Sequence, residues 1–284
     1  MQSLILGLAA ALLWGMHDFT VRRVADVANA AALFLVVLGA GTILLAPFAF
    51  VAADWGAFTP GLIGFCMITG LIYALGVYSL FCAFAIGPVR LVAPICGAYP
   101  VLSVGFAMLQ GRQVDPLAWL AVFAVLAGIT VMAQGESVVD PDALDANKTK
   151  AVMWSVAAAF GFAVSFGMLH SAGQQAPDLA VALIARCTGF CGVLWWVLRQ
   201  RIALKPAFVI WPTLLLMGAL DVGGMIAVTA AGAFERPEFA AVTSSCFGLV
   251  TILMAWRFLG ERLSALQCIG AGIVFSGIVV LGLV

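Results

Sequence analysis

Residues 60–86 read PGLIGFCMITGLIYALGVYSLFCAFAI and contain no charged side chain. A helix needs about 20 apolar residues to cross a hydrocarbon layer about 30 Å thick, so this stretch is long enough to span a membrane. The whole chain has the same character, since 64% of its 284 residues are hydrophobic and 9% are charged. A soluble domain carries about 25% charged residues. The composition therefore excludes a soluble domain and predicts an all-α integral membrane protein. The net charge of the chain is zero, so the sequence gives no indication of nucleic-acid binding.

Apolar runs separated by short breaks predict ten transmembrane helices, at 3–22, 29–52, 60–86, 89–110, 116–134, 151–171, 178–200, 209–233, 237–259 and 264–283. The longest polar stretch, 135–150, follows the fifth of these spans. We therefore expect a first five-helix repeat at 1–134, a polar surface linker at 135–150 and a second five-helix repeat at 151–284.

An internal repeat is also indicated by the sequence. Residues 83–114 align with 232–263 at a constant offset of 149, which places Pro88 on Pro237 and Gly111 on Gly260. Because five is an odd number, a second copy would be inverted in the bilayer. The prediction is two inverted five-helix repeats around a central cavity, an architecture of many secondary transporters.

Basic residues at the span ends predict the orientation. Only Arg112 and Arg236 lie at the breaks after the even-numbered spans. The breaks after the odd-numbered spans hold ten: Arg22, Arg23, Arg90, Lys148, Lys150, Arg199, Arg201, Lys205, Arg257 and Arg262. Basic loops remain in the cytoplasm, so we expect both termini outside the cell inner (plasma) membrane.

Charged side chains within the spans are the first candidates for a functional site, because each costs about 2.5–3.5 kcal/mol to insert. Asp221 lies mid-span before Gly223 and Gly224, and it is a candidate for binding a proton or a substrate amine. Arg186 is a candidate for holding a substrate carboxylate through two parallel hydrogen bonds. The alternative for both is a structural ion pair with each other.

A second polar group lies in the first span. Asp18 is a candidate for proton coupling, with His17 beside it as a relay. The alternative is an interfacial ion pair between Asp18 and Arg22, which follows at the spacing of one helical turn. His170, at the end of the sixth span, is expected to lie at the membrane interface.

Deep aromatic and hydroxyl side chains complete the predicted cavity. Tyr78 and Tyr99 lie near mid-span, where a phenol needs a partner in protein, water or ligand, although both could serve ordinary helix packing. Serines of the ninth span either line the opposite wall or cross-link helices. The cavity candidates are Trp14, His17, Tyr78, Tyr99, Arg186, Asp221, Ser244 and Ser245, and the expected helix breaks are Pro88, Pro94, Pro100 and Pro237.

Three short motifs relate the chain to a known family. They are Leu12-Leu-Trp-Gly15 in the first span, Gly87-Pro88 before the fourth and Leu259-Gly-Glu-Arg-Leu-Ser264 after the ninth. With these motifs the chain resembles the ten-helix EamA-type branch of the drug/metabolite transporter superfamily, and its aromatic amino-acid exporters are the nearest functional match. It departs from this pattern in three respects. The first half has Leu109-Gln-Gly-Arg-Gln113 where an acidic turn is expected, and the first span lacks the embedded glutamate of the small multidrug relatives. Many relatives also place both termini inside, whereas the basic residues of this chain predict both termini outside.

The resemblance implies a secondary transporter that exports small metabolites by alternating access, amino acids including aromatic ones first. The alternatives are a carrier of another metabolite or drug and, in a different class, a membrane enzyme or receptor without transport. The chain carries no P-loop, no HExxH and no G-x-S-x-G, so no cofactor, metal site or catalytic residue is predicted. The expected partners are a small-molecule substrate and the lipid bilayer, and a monomer is expected.

Overall fold

The computed structural model describes residues 1–52, 54–99, 101–102, 105, 115–134, 141–231, 233–234, 240, 243–244, 246–261 and 263–281. Within these residues the chain is helical and contains no strand. The main helices are α1 (Gln2–Val24), α2 (Ala30–Ala52), α3 (Pro60–Ile86), α4 (Val89–Gly97), α5 (Pro116–Gln134), α6 (Pro141–Gly173), α7 (Asp178–Arg199), α8 (Trp211–Ala231), α9 (Phe247–Met254) and α10 (Ala265–Leu281). A 3₁₀ turn, Trp55–Ala57, precedes α3, and a five-residue helix, Lys205–Val209, precedes α8.

Six of the described helices, α1, α2, α3, α6, α7 and α8, are long and apolar enough to cross a membrane. The apolar parts of α5, of α9 with the turn that follows it, and of α10 are shorter. In the fourth predicted span only α4 forms a continuous described helix, and residues 100, 103–104 and 106–110 lie outside the described chain. The structure therefore supports an all-helical membrane protein, with six full-length spans among the described residues.

Helix α6 extends through residues 141–150 of the predicted polar linker. Helix α6 begins at Pro141, ten residues before the predicted span, and runs without a break to Gly173. Proline is well tolerated at a first helical position, because its missing N–H would have no partner there. Polar residues such as Asp142 and Lys150 can continue a helix beyond the membrane surface, and apolar periodicity does not detect such an extension.

The helices of the two halves interlace instead of forming two separate bodies. Helix α1 packs mainly against α8 and α9, and α2 packs against α8 and almost as much against α7. We call α1, α2, α8 and α9 bundle 1. Helix α3 packs mainly against α6 and α7, and α4 packs against α6 and also contacts α9. We call α3, α4, α6 and α7 bundle 2. Helices α5 and α10 pair with each other and touch the rest chiefly through α4. Each bundle therefore contains two helices from each half of the sequence.

Glycines bring the helix backbones together inside both bundles. In bundle 2, a Cβ on Gly189 would lie 2.9 Å from the carbonyl oxygen of Gly70 and 3.3 Å from the Ala74 side chain. In bundle 1, Gly41 lies against Gly218, and a Cβ on it would meet Val222 at 3.2 Å. Small residues at such crossings allow close backbone packing in lipid, where the hydrophobic effect does not drive association.

Equivalent contacts recur at a constant sequence spacing. Each glycine contact of bundle 2 has a counterpart in bundle 1 whose residues lie 148 positions away. The pairs are Gly189 with Gly41, Gly70 with Gly218 and Ala74 with Val222. The same spacing relates two edge-to-face aromatic pairs whose ring centroids are both 6.4 Å apart. These pairs are Trp14 with Phe247, and Phe162 with Tyr99. The two bundles are thus built from matching contacts.

The helices alternate in direction, so the helix ends collect at two ends of the molecule. Gly87 at the end of α3 lies against Ala151 in the first part of α6. The end where α1, α3 and α7 finish carries Arg22, Arg23, Lys150 and Arg199, and we call it the basic end. The chain starts at the opposite end, where Met1 lies near Phe234.

Candidate functional site

The candidate site begins with two buried polar residues on α1. His17 and Asp18 are 6% and 5% exposed, and His17 Nδ1 lies 3.0 Å from Asp18 Oδ1. The His17 ring also makes an edge contact with Phe81 of α3, at 6.2 Å between centroids. A histidine and a carboxylate in hydrogen-bond contact can share a proton, and here apolar packing surrounds them.

The predicted alternative of an Asp18–Arg22 ion pair is wrong. Asp18 turns inward to His17, whereas the Arg22 guanidinium faces Glu261, with Nε 3.7 Å from Oε1. Spacing along α1 permitted the pair, but tertiary packing supplied each group with a different partner.

A buried ion pair joins the two bundles. Arg186 of α7 donates from Nη1 to Oδ2 of Asp221 on α8, at 2.7 Å. The Arg186 side chain is 5% exposed and that of Asp221 is 19% exposed. The structure therefore brings together the two residues that the sequence singled out, and the acid is the more accessible member.

Neighbouring residues hold this pair in place. Trp14 Nε1–H donates to the backbone carbonyl of Asp221 at 3.1 Å, which ties α1 to α8. The guanidinium Nη2 lies against Gly41 of α2, where a side chain would occupy its space. Tyr73 of α3 lies beside the pair, and its hydroxyl interacts with the Arg186 guanidinium. Asp18 is close enough to Asp221 for the two carboxylates to repel each other.

The guanidinium retains unused donors. Arginine carries five N–H donors, and among the described residues Nε and Nη2 of Arg186 have no hydrogen-bond partner. Burying a charged donor without a partner is costly, and a carboxylate is the group that satisfies a guanidinium best. Nε and Nη2 are therefore the donors of Arg186 that a substrate carboxylate would have to reach, next to an acid that is partly accessible.

Sequence reasoning missed Tyr73 as a site residue. Tyr73 lies 148 positions before Asp221, the same spacing that relates the glycine and aromatic contacts. A search for positions equivalent to Asp221 at this spacing would have found it. Neither Tyr78 nor Tyr99 occupies this place.

The two predicted tyrosines pack against α6. Tyr78 makes an edge contact with Trp154 at 5.9 Å, and Tyr99 makes edge contacts with Phe162 and Phe166 at 6.4 and 5.2 Å. Tyr99 thereby forms one wall of an aromatic cluster in bundle 2.

The remaining predicted residues have varied positions. Ser244 is buried, while Ser245, Pro100 and Pro237 lie outside the described residues. Pro88 is the residue before the first turn of α4, and Pro94 lies inside that helix. His170 is exposed, and its Nε2 lies 3.2 Å from Nε2 of Gln174. Within the described residues, no three His, Cys, Asp or Glu side chains are grouped as metal ligands would be.

Comparison with known proteins identifies the family. The profile of the EamA-like transporter family matches residues 1–134 and 149–283. The chain belongs to this family. It is therefore a membrane transporter of small solutes, and six described helices that are long and apolar enough to cross a membrane agree with that assignment. No curated protein matches the chain.

Solved structures support the fold. One of them, described only as a crystal structure of a protein, superposes with a TM-score of 0.66 at 13% identity. The match covers 98% of this chain and 95% of the other. At this identity the likeness establishes a shared fold and carries no information on substrate.

Proposed function

We propose that this EamA-family protein is a secondary carrier that exports small zwitterionic metabolites, amino acids including aromatic ones first, by alternating access. The observation that carries the proposal is the Arg186–Asp221 pair, which lies between the two bundles and keeps unused donors on the guanidinium. A zwitterion offers one group to each member. Its carboxylate accepts from Arg186 and its ammonium donates to Asp221.

The charges of the cluster also support coupling to protons. Asp18 and Asp221 supply two carboxylates, and Arg186 supplies one permanent positive charge. In a low-dielectric interior this group needs one further positive charge for neutrality. A proton on the His17–Asp18 dyad can provide it. A zwitterionic substrate adds no net charge to the cluster, so the need for this proton remains when the substrate is bound.

The matching contacts of the two bundles support two inverted repeats, with the first at 1–134 and the second at 151–284. The glycine crossings and aromatic pairs recur 148 positions apart, and the family profile matches two ranges of similar length. In this proposal the moving units are bundles 1 and 2, and the central site lies between them. Motion of one sequence half against the other, the simplest expectation for such repeats, would break the interlaced packing.

Aromatic side chains near the interface support bulky apolar substrates. Tyr99, Phe162 and Phe166 form one cluster, in which the two phenylalanine rings stack at 5.6 Å. Trp14 and Phe247 form the equivalent pair of bundle 1. Aromatic contacts add about 0.5–1.5 kcal/mol per ring pair beyond the buried area. Tyr99→Ala should therefore weaken transport of phenylalanine or tryptophan more than transport of alanine or threonine.

Counterflow in proteoliposomes tests the carrier. Vesicles loaded with unlabelled amino acid should accumulate the labelled one transiently, and a pH-sensitive dye inside should report proton movement. Counterflow separates a carrier from an enzyme or receptor, and saturation separates it from a channel. A folded preparation that carries no amino acid would overturn the substrate class and direct the assay to other metabolites.

Variants of the pair test the site. Asp221→Asn and Arg186→Gln should abolish counterflow. Arg186→Lys should show little more counterflow than Arg186→Gln, because lysine keeps the charge but lacks the planar guanidinium that can donate two parallel hydrogen bonds to a carboxylate. Asp26→Asn, an exposed acid beyond α1, is the matched control and should transport normally. His17→Gln should uncouple proton movement from substrate. Normal counterflow by folded Asp221→Asn would remove this residue from the mechanism.

A further inference from the structure

The two motif segments Gly87-Pro88 and Gly260-Glu261 meet at the basic end, although they lie far apart in the sequence. The Val89 N–H, the first donor of α4, donates to Glu261 Oε2 at 2.9 Å. The residue before it, Pro88, makes no side-chain cap, and Val89 is 0% exposed. Water therefore cannot satisfy this donor, and the carboxylate also meets the positive end of the helix dipole.

Glu261 is held in position from its own side. A π-helical turn, Ala255–Leu259, ends at Gly260, whose φ of 71° is a left-handed conformation that glycine adopts without strain. The N–H of Glu261 then donates to the Ala255 carbonyl at 3.3 Å. Arg22 of α1 faces the second carboxylate oxygen at 3.7 Å.

These contacts connect the two bundles. Arg22 belongs to bundle 1, Glu261 follows its helix α9, and Val89 belongs to bundle 2. Arg22 lies one helical turn, about 6 Å, from Asp18 of the buried cluster. The contact thus crosses the interface between the bundles, one turn away from the candidate substrate site.

We propose that this contact, the Glu261 bridge (Glu261 with Val89 and Arg22), keeps the basic end of the molecule closed, and that its release opens that end toward the central site. The inference rests on the alternating-access carrier proposed above. Its strength suits a reversible closure: the bridge contributes one hydrogen bond between the bundles at this end, and the ion pair that orients it is long and partly exposed, with side-chain exposures of 29% for Arg22 and 14% for Glu261. A carrier needs its two states to differ by only a few kcal/mol.

The equivalent positions of the first half differ in sequence. The spacing of 148 pairs Glu261 with Gln113, and the neighbouring residue is Arg112, so neither of these positions holds a carboxylate.

Thiol reactivity tests the bridge without any substrate. Cys96 lies on α4, which contacts α9 of bundle 1 as well as α6. The thiol is 0% exposed and faces the Ser155 carbonyl of α6 at 3.7 Å, so its reaction requires α4 to become accessible. In a variant with Cys96 as its only cysteine, a membrane-impermeant maleimide should react slowly. Glu261→Ala removes both contacts and should raise the rate about tenfold, the factor that corresponds to 1.4 kcal/mol. Glu261→Gln keeps an acceptor for Val89 and should have a smaller effect.

Arg22→Ala should raise the rate of maleimide reaction at Cys96 as much as Glu261→Gln does. The double variant should react little faster than either single variant, because both changes remove the same ion pair. The matched controls Arg23→Ala and Asp26→Ala alter exposed charges near the same end and should leave the rate unchanged. If Glu261→Ala does not fold, the glutamine and Arg22 variants decide the question.

A second single-cysteine protein, with Cys66 as its only cysteine, distinguishes opening of the basic end from a loss of packing throughout the molecule. Cys66, buried with Ala172 between α3 and α6 toward the opposite end, should react equally slowly in every variant. An unchanged Cys96 rate in the folded variants would overturn the bridge, as would equal acceleration at Cys66. The expected Cys96 rates without carriage of any substrate would keep the bridge and overturn the proposed carrier.

Discussion

Gly70→Ala should disturb the site from a distance, through the contact between α3 and α7. A Cβ at position 70 would overlap the carbonyl oxygen of Ala185 and lie 2.7 Å from its carbonyl carbon and 2.8 Å from its Cα. Carbon atoms in contact prefer about 3.5–4.0 Å, so α7 must move by about 1 Å. The obstacle is backbone, which cannot rotate out of the way as a side-chain end can.

The displacement reaches the ion pair because Arg186 follows Ala185 directly. Its Nη1 is 2.7 Å from Asp221. A shift of about 1 Å can extend this distance to about 3.7 Å, beyond the range of a hydrogen bond. Overpacking of this kind costs about 1–3 kcal/mol. At about 2–4 °C per kcal/mol, the melting temperature should fall by about 2–12 °C.

The assay is thermal unfolding of purified protein in detergent, followed by size-exclusion chromatography, together with counterflow. Gly64→Ala on the same helix is the matched control, because a Cβ there meets nothing within 4 Å. We expect Gly70→Ala to lose both stability and transport and Gly64→Ala to keep both. A Gly70→Ala protein with the melting temperature and transport of the wild type would refute the close packing of α3 on α7.

Three further predictions address the site and the topology. Gly41→Ala should push the Arg186 guanidinium from its place and reduce transport, whereas Gly272→Ala, with open space around its Cβ, should not; equal effects would contradict the contact. Trp14→Phe removes the N–H donated to Asp221 and should weaken apparent substrate affinity about fivefold, for about 1 kcal/mol; an unchanged affinity would show that this hydrogen bond does not position the acid. With the exposed native cysteines replaced, a cysteine at Asn147 should resist an impermeant thiol reagent in intact cells and one at Gln175 should react; the reverse pattern would place the basic end outside.

Much of the helix layout could be predicted from apolar run length. The expected span 60–86 coincides with α3, and 178–200 exceeds α7 by one residue. Such agreement follows from the bilayer, since each crossing needs a fixed length of apolar helix. Where a helix extends into water the rule fails, and α6 therefore begins earlier than the expected span.

The candidate site was only partly predictable. Arg186 and Asp221 were found because a charged side chain in an apolar span is costly to insert and therefore indicates a function or a partner. Their pairing with each other was one of the alternatives considered. Tyr73 was missed because the offset of 149 expected from the sequence pairs Asp221 with Ile72, whereas the contacts of the structure recur at 148. Glu261 was noted only as part of a motif, and its contact with Val89, 172 positions away, has no signature along the chain.

The sequence by itself indicated a helical membrane transporter, the stretches that are apolar enough to cross a membrane, and the charged residues whose cost of insertion marks them as candidates for a site. These properties depend on local composition, and the bilayer selects them one helix at a time. Only the tertiary structure decided which helices pack together, because apolar faces in lipid attract each other without strong preference and small residues choose the partners. The interlaced bundles, the Arg186–Asp221 pair and the Glu261 bridge all follow from those choices.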